Sequence, residues 1–149
     1  LPILALGTLA GLVGTIPQVI IDYILFKLGV AKYFAFQLSA SIFLSKEASK
    51  GVEGLVLGSG VWLFVASILG IFTVYFLKTT GIDYWWLKGI LISNVVMYVG
   101  MFGFFYSLGG AEIVPKEFGT NISIFISNVM FGLVSSYLIV RWGNKVLKK

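Results

Sequence analysis

The sequence predicts an all-α fold: a polytopic membrane helix bundle of four transmembrane helices plus a short interfacial or re-entrant helix. Three observations lead there. Of 149 residues, 58% are hydrophobic and 11% charged, whereas a soluble domain carries about 25% charged residues. The apolar residues gather in four runs, each matching the ~20 residues needed to cross a bilayer. Glycine is abundant, with 18 residues, and it is commoner in membrane helices than in soluble ones. A closed outer-membrane barrel would show alternating strands with polar turns every ~10 residues. The unbroken apolar runs exclude it.

The elements follow in order. The first span is expected over residues 1–26. It is too long for a signal-peptide core and has no positively charged region before it, so a permanent span is expected. Residues 30–44 form a shorter apolar piece, bounded by Lys32 and by "SKEASKG". As a helix it reaches roughly 22 Å against a hydrocarbon core of ~30 Å, hence the reading as an interfacial or re-entrant helix or an element packed across the bundle; a tilted, shortened fifth span is the alternative. Further spans are expected over residues 51–77, 86–108 and 121–140. Gly81 suits a turn, and Asp83 is placed to cap the third span. Gly109-Gly110 is a helix stop, and Thr120 or Asn121 is placed to cap the fourth. Trp85, Trp86 and Trp142 fall at span ends, where amphipathic rings favour the membrane–water boundary. No internal repeat or long linker is visible, so residues 1–149 read as a single integral membrane domain.

Small residues recur four apart. Gly7 and Gly11, Ala10 and Gly14, Gly54 and Gly58, and Ala66 and Gly70 each fall on successive turns. That spacing lets helix backbones approach closely in lipid. It serves packing within one bundle or self-association.

The chain has no cysteine and no histidine. That removes disulfides, thiol nucleophiles, imidazole acid–base chemistry and Cys- or His-based metal sites. No cofactor and no metal is expected. The net charge is +5, but it is not organised as the broad basic surface that nucleic acid requires. The expected partners are the lipid bilayer and either further copies of this chain or a larger membrane complex. Counted over four spans, one side receives six basic residues and the other five. The basic tail "RWGNKVLKK" tips both termini to the cytoplasmic side.

Polar residues inside the spans mark the candidate site. "GTIPQVIIDYILFK", residues 14–27, places Pro17, Gln18 and Asp22 in an otherwise apolar run. Pro17 frees a carbonyl one turn back and bends the helix. Gln18 and Asp22 are four apart and share a face, so Gln18 is placed to donate to the Asp22 carboxylate, with Lys27 in reach. An ionisable group within a span is a functional-site candidate; near the span's end it serves equally as an interfacial group that orients the helix. In the fourth span Asn121, Asn128 and Ser135 recur every seven residues and form one stripe. The third span offers Ser93, Asn94 and Tyr98. Gln18, Asp22, Asn94 and Asn128 are therefore the candidate polar intramembrane site, either as interhelical glue or as the lining of a common cavity.

The segment "NISIFISN" resembles the last span of small bacterial inner-membrane proteins of the YagU-like type. There an Asn-x-Ser is followed, after four residues, by a histidine; here Asn121, Ser123 and Asn128 occupy those places. The layout is also similar: a glycine-rich first span, a polar excursion, then three more spans. The resemblance implies a multi-pass protein of the bacterial cytoplasmic (inner) membrane, of unknown biochemical function. Asn128 stands where the family has its titrating group. Pro17-Gln18 is also similar to the PQ-loop of sugar and amino-acid carriers, whose paired three-helix repeat is not apparent here. These readings together favour a non-catalytic scaffold or accessory subunit. The alternative is a homo-oligomeric channel or small carrier with its polar site around Asp22. An enzyme would have to use Asp22 or Glu53 as base, with no companion motif, and is not expected.

Overall fold

The computed structural model describes residues 1–100, 103, 107–108 and 111–148. Among them the secondary structure is helical throughout. Helix α1 spans Ile3–Lys27 and runs through Pro17 without a break in its assignment. At its end Gly29 takes φ 80°. The Val30 N–H donates to the Leu25 carbonyl at 3.0 Å and the Gly29 N–H to that of Phe26 at 3.1 Å. This pair of bonds is a Schellman closure, and the left-handed residue it needs is one glycine adopts without a Cβ penalty.

The apolar piece over 30–44 folds as a turn and one short helix, α2, Ala35–Ala40; a second, α3, Lys46–Ser49, follows beyond it. Phe34 is extended at the start of α2. The Ser41 hydroxyl donates back to the Leu38 carbonyl at 2.7 Å, and both the Phe43 and Leu44 N–H groups close on Ala40. Ser45 caps α3 by accepting from the Ala48 N–H at 3.2 Å. Both helices pack on α4, Val52–Thr80.

Helix α5, Trp85–Tyr98, has 14 residues and thus rises about 21 Å. Helix α6, Phe118–Trp142, is followed by the short α7, Asn144–Leu147. Among the described residues three helices, α1, α4 and α6, are long and apolar enough to cross a membrane. These mark a multi-pass membrane protein. The expected span over 86–108 is not a fourth such helix. Its α-helical part stops at Tyr98, and Val99 and Gly100 take the wider π-helical turn. Residues 101–102 and 104–106 of that span, and the Gly109-Gly110 stop, lie outside the described residues.

Two expected caps are also different. Asp83 does not cap α5; the position before that helix is Tyr84, held in the left-handed region at φ 56°, with no side-chain cap. Nor do Thr120 and Asn121 cap α6, which begins earlier, after Glu117. Other contacts hold both side chains, a distant one for Thr120 and local ones for Asn121. The Thr120 hydroxyl accepts from the Lys32 N–H at 2.9 Å, and the Asn121 amide donates to the Pro115 and Glu117 carbonyls at 3.1 and 2.9 Å.

Helix α1 lies against both α4 and α6, and α5 lies against α6. The faces that meet are built from small residues. A Cβ on Gly11 would overlap the Ala66 carbonyl of α4, and one on Gly70 would overlap the Gly7 carbonyl of α1. On α1's other side, a Cβ on Gly14 would press on Ser135 of α6 at 3.0 Å. Gly58 meets the Phe36 carbonyl of α2, and Gly54 that of Ser49. Gly89 of α5 and Gly132 of α6 meet in the same way. All of these contacts lie within one chain.

Three apolar clusters mark the bundle's length. Leu6, Val74, Leu77, Ile139 and Leu147 pack at the end that holds both termini. Ala66, Leu69 and Phe131 pack at mid-height. Tyr33, Leu38 and Ile113 pack at the opposite end, where the Glu112 N–H donates to the Ser41 carbonyl at 3.0 Å.

Candidate functional site

The polar residues of α1 are turned inward. Gln18 and Asp22 are each 3% exposed, although α1 also carries exposed apolar residues such as Ile16, Ile20 and Ile24. The shared face expected from their spacing is therefore the bundle-facing one. The bond expected between them is not made. Asp22 instead reaches across to α2, where its Oδ2 accepts from the Ala35 N–H at 2.7 Å. Beside it the Phe34 N–H donates to the Gln37 Oε1 at 2.9 Å. Helix N-termini leave N–H groups without partners and carry positive partial charge. A carboxyl oxygen is an acceptor suited to that position, and a hydrogen bond of this kind contributes roughly 0.5–1.5 kcal/mol. Lys27 does not join it; its ammonium lies 5.5 Å from the Tyr23 ring centroid.

Gln18 belongs to a different chain of bonds. The Trp62 indole N–H of α4 donates to the Thr15 hydroxyl at 2.7 Å. The Thr15 hydroxyl donates to the Gln18 Oε1 at 2.9 Å, and the Gln18 amide donates to the Asn128 Oδ1 of α6 at 3.0 Å. Three successive bonds, all running in one direction, thus tie α4, α1 and α6 together. Aligned donors and acceptors polarise one another. Interhelical polar contacts in membranes contribute on average roughly 0.6 kcal/mol each.

Helix α5 joins through Ser93, offered by the sequence beside Asn94, rather than through Asn94. The Ser93 hydroxyl lies 3.1 Å from the Asn128 backbone carbonyl. Asn94 instead donates to the Ile90 carbonyl of its own helix at 2.9 Å. Its Oδ1 and the Asn128 Nδ2 are buried and have no partner among the described residues. Asp22, Asn128 and Ser127 line a small cavity of about 10 Å³ with Trp62 and Met97, room for about one water molecule. Asp22, Gln18 and Asn128 are thus brought together, and Asn94 is not among them.

Thr15, Trp62 and the Ala35 N–H complete the site and were not singled out from the sequence. Two of them left a signal. Thr15 stands three residues before Gln18, on the same face. Trp62 lies in the middle of a span, away from the interfacial depth that tryptophan favours, and a buried indole N–H needs an acceptor. The Ala35 N–H left none, because a backbone donor has no side-chain identity. Among the described residues no cluster of His, Cys, Asp or Glu could hold a metal. Compared with known proteins, the chain matches no family model, no curated protein and no solved structure.

Proposed function

We propose that this chain is a non-catalytic, multi-pass membrane protein that serves as a scaffold or accessory subunit of a larger membrane assembly. One observation carries the reading. The buried carboxyl of α1, Asp22, holds the N-terminus of α2 beside a cavity of only about 10 Å³, whereas small-molecule sites occupy roughly 300–1,000 Å³. The polar groups of α1 fasten helices to one another, and they hold a short helical segment against α4. The proposal includes a single domain that crosses four times, with α5 and the residues after it as the third crossing and both termini on the cytoplasmic side. Support comes from Trp85 packing at the end that holds the termini and Glu112 bonding Ser41 at the other. A bacterial inner membrane and kinship with YagU-like proteins remain part of the proposal, supported by the "NISIFISN" segment.

A second reading, a homo-oligomeric channel or small carrier, is favoured by the Asn128 Nδ2. That donor has no partner among the described residues and belongs to a residue lining the same cavity as Asp22. Purification in mild detergent followed by native mass spectrometry separates the two. A defined heteromeric complex is expected for the subunit. A stable homo-oligomer whose ion or solute flux in proteoliposomes is abolished by Asp22→Asn would establish the carrier instead.

A further inference from the structure

The two ends of the bundle differ in charge. Among the described residues, the end holding the termini carries Lys78, Lys88, Arg141, Lys145 and Lys148 against Asp83 alone. The opposite end balances its five lysines with four glutamates and the buried Asp22. The positive excess therefore belongs to one end.

At that end a pocket of about 400 Å³ opens between the α4–α5 turn and the α6–α7 junction. Arg141, Asn144 and Lys148 supply its polar lining, and Trp85, Tyr137 and Val140 most of its apolar lining. No carboxylate lines it among the described residues. Lys88 is engaged elsewhere, donating to the Thr80 and Gly81 carbonyls at 3.1 and 2.8 Å. Arg141 and Lys148 make no ion pair among the described residues. The Trp85 and Tyr137 rings stand 5.9 Å apart, and aromatic rings with a polar edge favour the depth of lipid headgroups.

We propose that this pocket binds the phosphodiester headgroup of an anionic phospholipid. Arginine presents a rigid fork of donors matched to phosphate oxygens, and the Lys148 ammonium adds a second cation. The Asn144 amide donates to a further oxygen. The exposed Tyr137 and the half-buried Val140 continue down α6 and offer an apolar track for the first methylenes of an acyl chain. A free phosphate would satisfy the cations but leave that track unused, so a lipid is the better fit. Basic pockets at helix ends are a recurrent means of holding anionic lipid.

The test uses the full chain purified in mild detergent, titrated with phosphatidylglycerol or phosphatidylcholine and read by native mass spectrometry. Phosphatidylglycerol should be retained in preference to the zwitterionic lipid. Arg141→Gln and Lys148→Gln should each weaken its retention about fivefold, the effect of one basic residue near an anionic lipid surface. Lys78→Gln, at the same end but outside the pocket, should leave it unchanged. Arg141→Lys keeps the charge but not the fork and should retain more lipid than Arg141→Gln and less than the parent, which guards against a glutamine variant that folds poorly. Equal retention of phosphatidylcholine would overturn the proposal. So would an equal loss in Lys78→Gln, which would mean diffuse surface charge. Displacement of the lipid by millimolar inorganic phosphate would reassign the pocket to a free anion.

Discussion

Asp22 shows how a carboxyl is accommodated in a helix made for lipid. A charged group at a span's centre costs about 2.5–3.5 kcal/mol on insertion scales, and less near its end. Here the group lies one turn from the end of α1 and faces inward, and it meets an N–H that also needs a partner. Each removes the other's desolvation problem. Asp22→Asn keeps an acceptor oxygen of the same shape and should fold with nearly the stability of the parent. Asp22→Leu leaves the Ala35 N–H buried without an acceptor, a loss of about 1–3 kcal/mol. Thermal unfolding in detergent reads the difference, and a leucine variant as stable as the parent would refute the capping role. At this scale the sequence was legible up to a face. Spacing placed Gln18 and Asp22 on one side of α1. It could not name what stood opposite, because Asn128 lies 110 residues from Gln18 in the chain. The local pairing of Gln18 with Asp22 looked complete only while those distant partners were out of view.

Among the elements, the glycine spacing was the most informative pattern. Without a hydrophobic drive between helices in lipid, association depends on close van der Waals approach and interhelical hydrogen bonds. Gly7, Gly11 and Gly70 supply that approach between α1 and α4, and Gly14 supplies it toward α6. Gly11→Leu should lower the thermal stability of the detergent-solubilised protein strongly, since even its Cβ would overlap the Ala66 carbonyl. Gly60 is the internal control. Nothing lies within 4 Å of a Cβ placed there, so Gly60→Ala should stabilise α4 by about 0.5–1 kcal/mol through helix propensity alone. Equal tolerance of both variants would mean that the small-residue faces carry no packing energy. Legibility ended at the element boundaries. The caps lie elsewhere because Thr120 answers to the Lys32 N–H, while Asn121 already sits inside α6 and donates back to the Pro115 and Glu117 carbonyls. The piece over 30–44 was read as one helix by its apolarity. Its helix is shorter, Ala35–Ala40, set by the acceptor that Asp22 supplies to the Ala35 N–H and by the turn bond at Ser41.

For the whole molecule the open physical question is how many times the chain crosses. Length and composition mark α1, α4 and α6, and three crossings would put the termini on opposite sides. Yet Leu6 and Leu147 pack in one cluster with Trp85 at its edge, while Ile113 packs with Tyr33 and Leu38. Trp85 and Glu112 thus lie at opposite ends of the bundle, which supports the proposed third crossing. Residue 116 decides the matter. With four crossings it shares a side with residue 50; with three it shares a side with residue 83. The chain contains no cysteine, so each position can be probed alone. Lys50→Cys, Asp83→Cys, Lys116→Cys and Lys145→Cys all replace exposed residues. In intact bacterial cells an impermeant thiol reagent should label positions 50 and 116. Positions 83 and 145 should react only after permeabilisation, which puts the basic end and its phospholipid pocket in the cytoplasmic leaflet. Labelling of 83 and 145 from outside, with 50 and 116 protected, would keep the four crossings but invert the protein. Labelling that groups 116 with 83 would remove the third crossing, and with it the common side of the two termini.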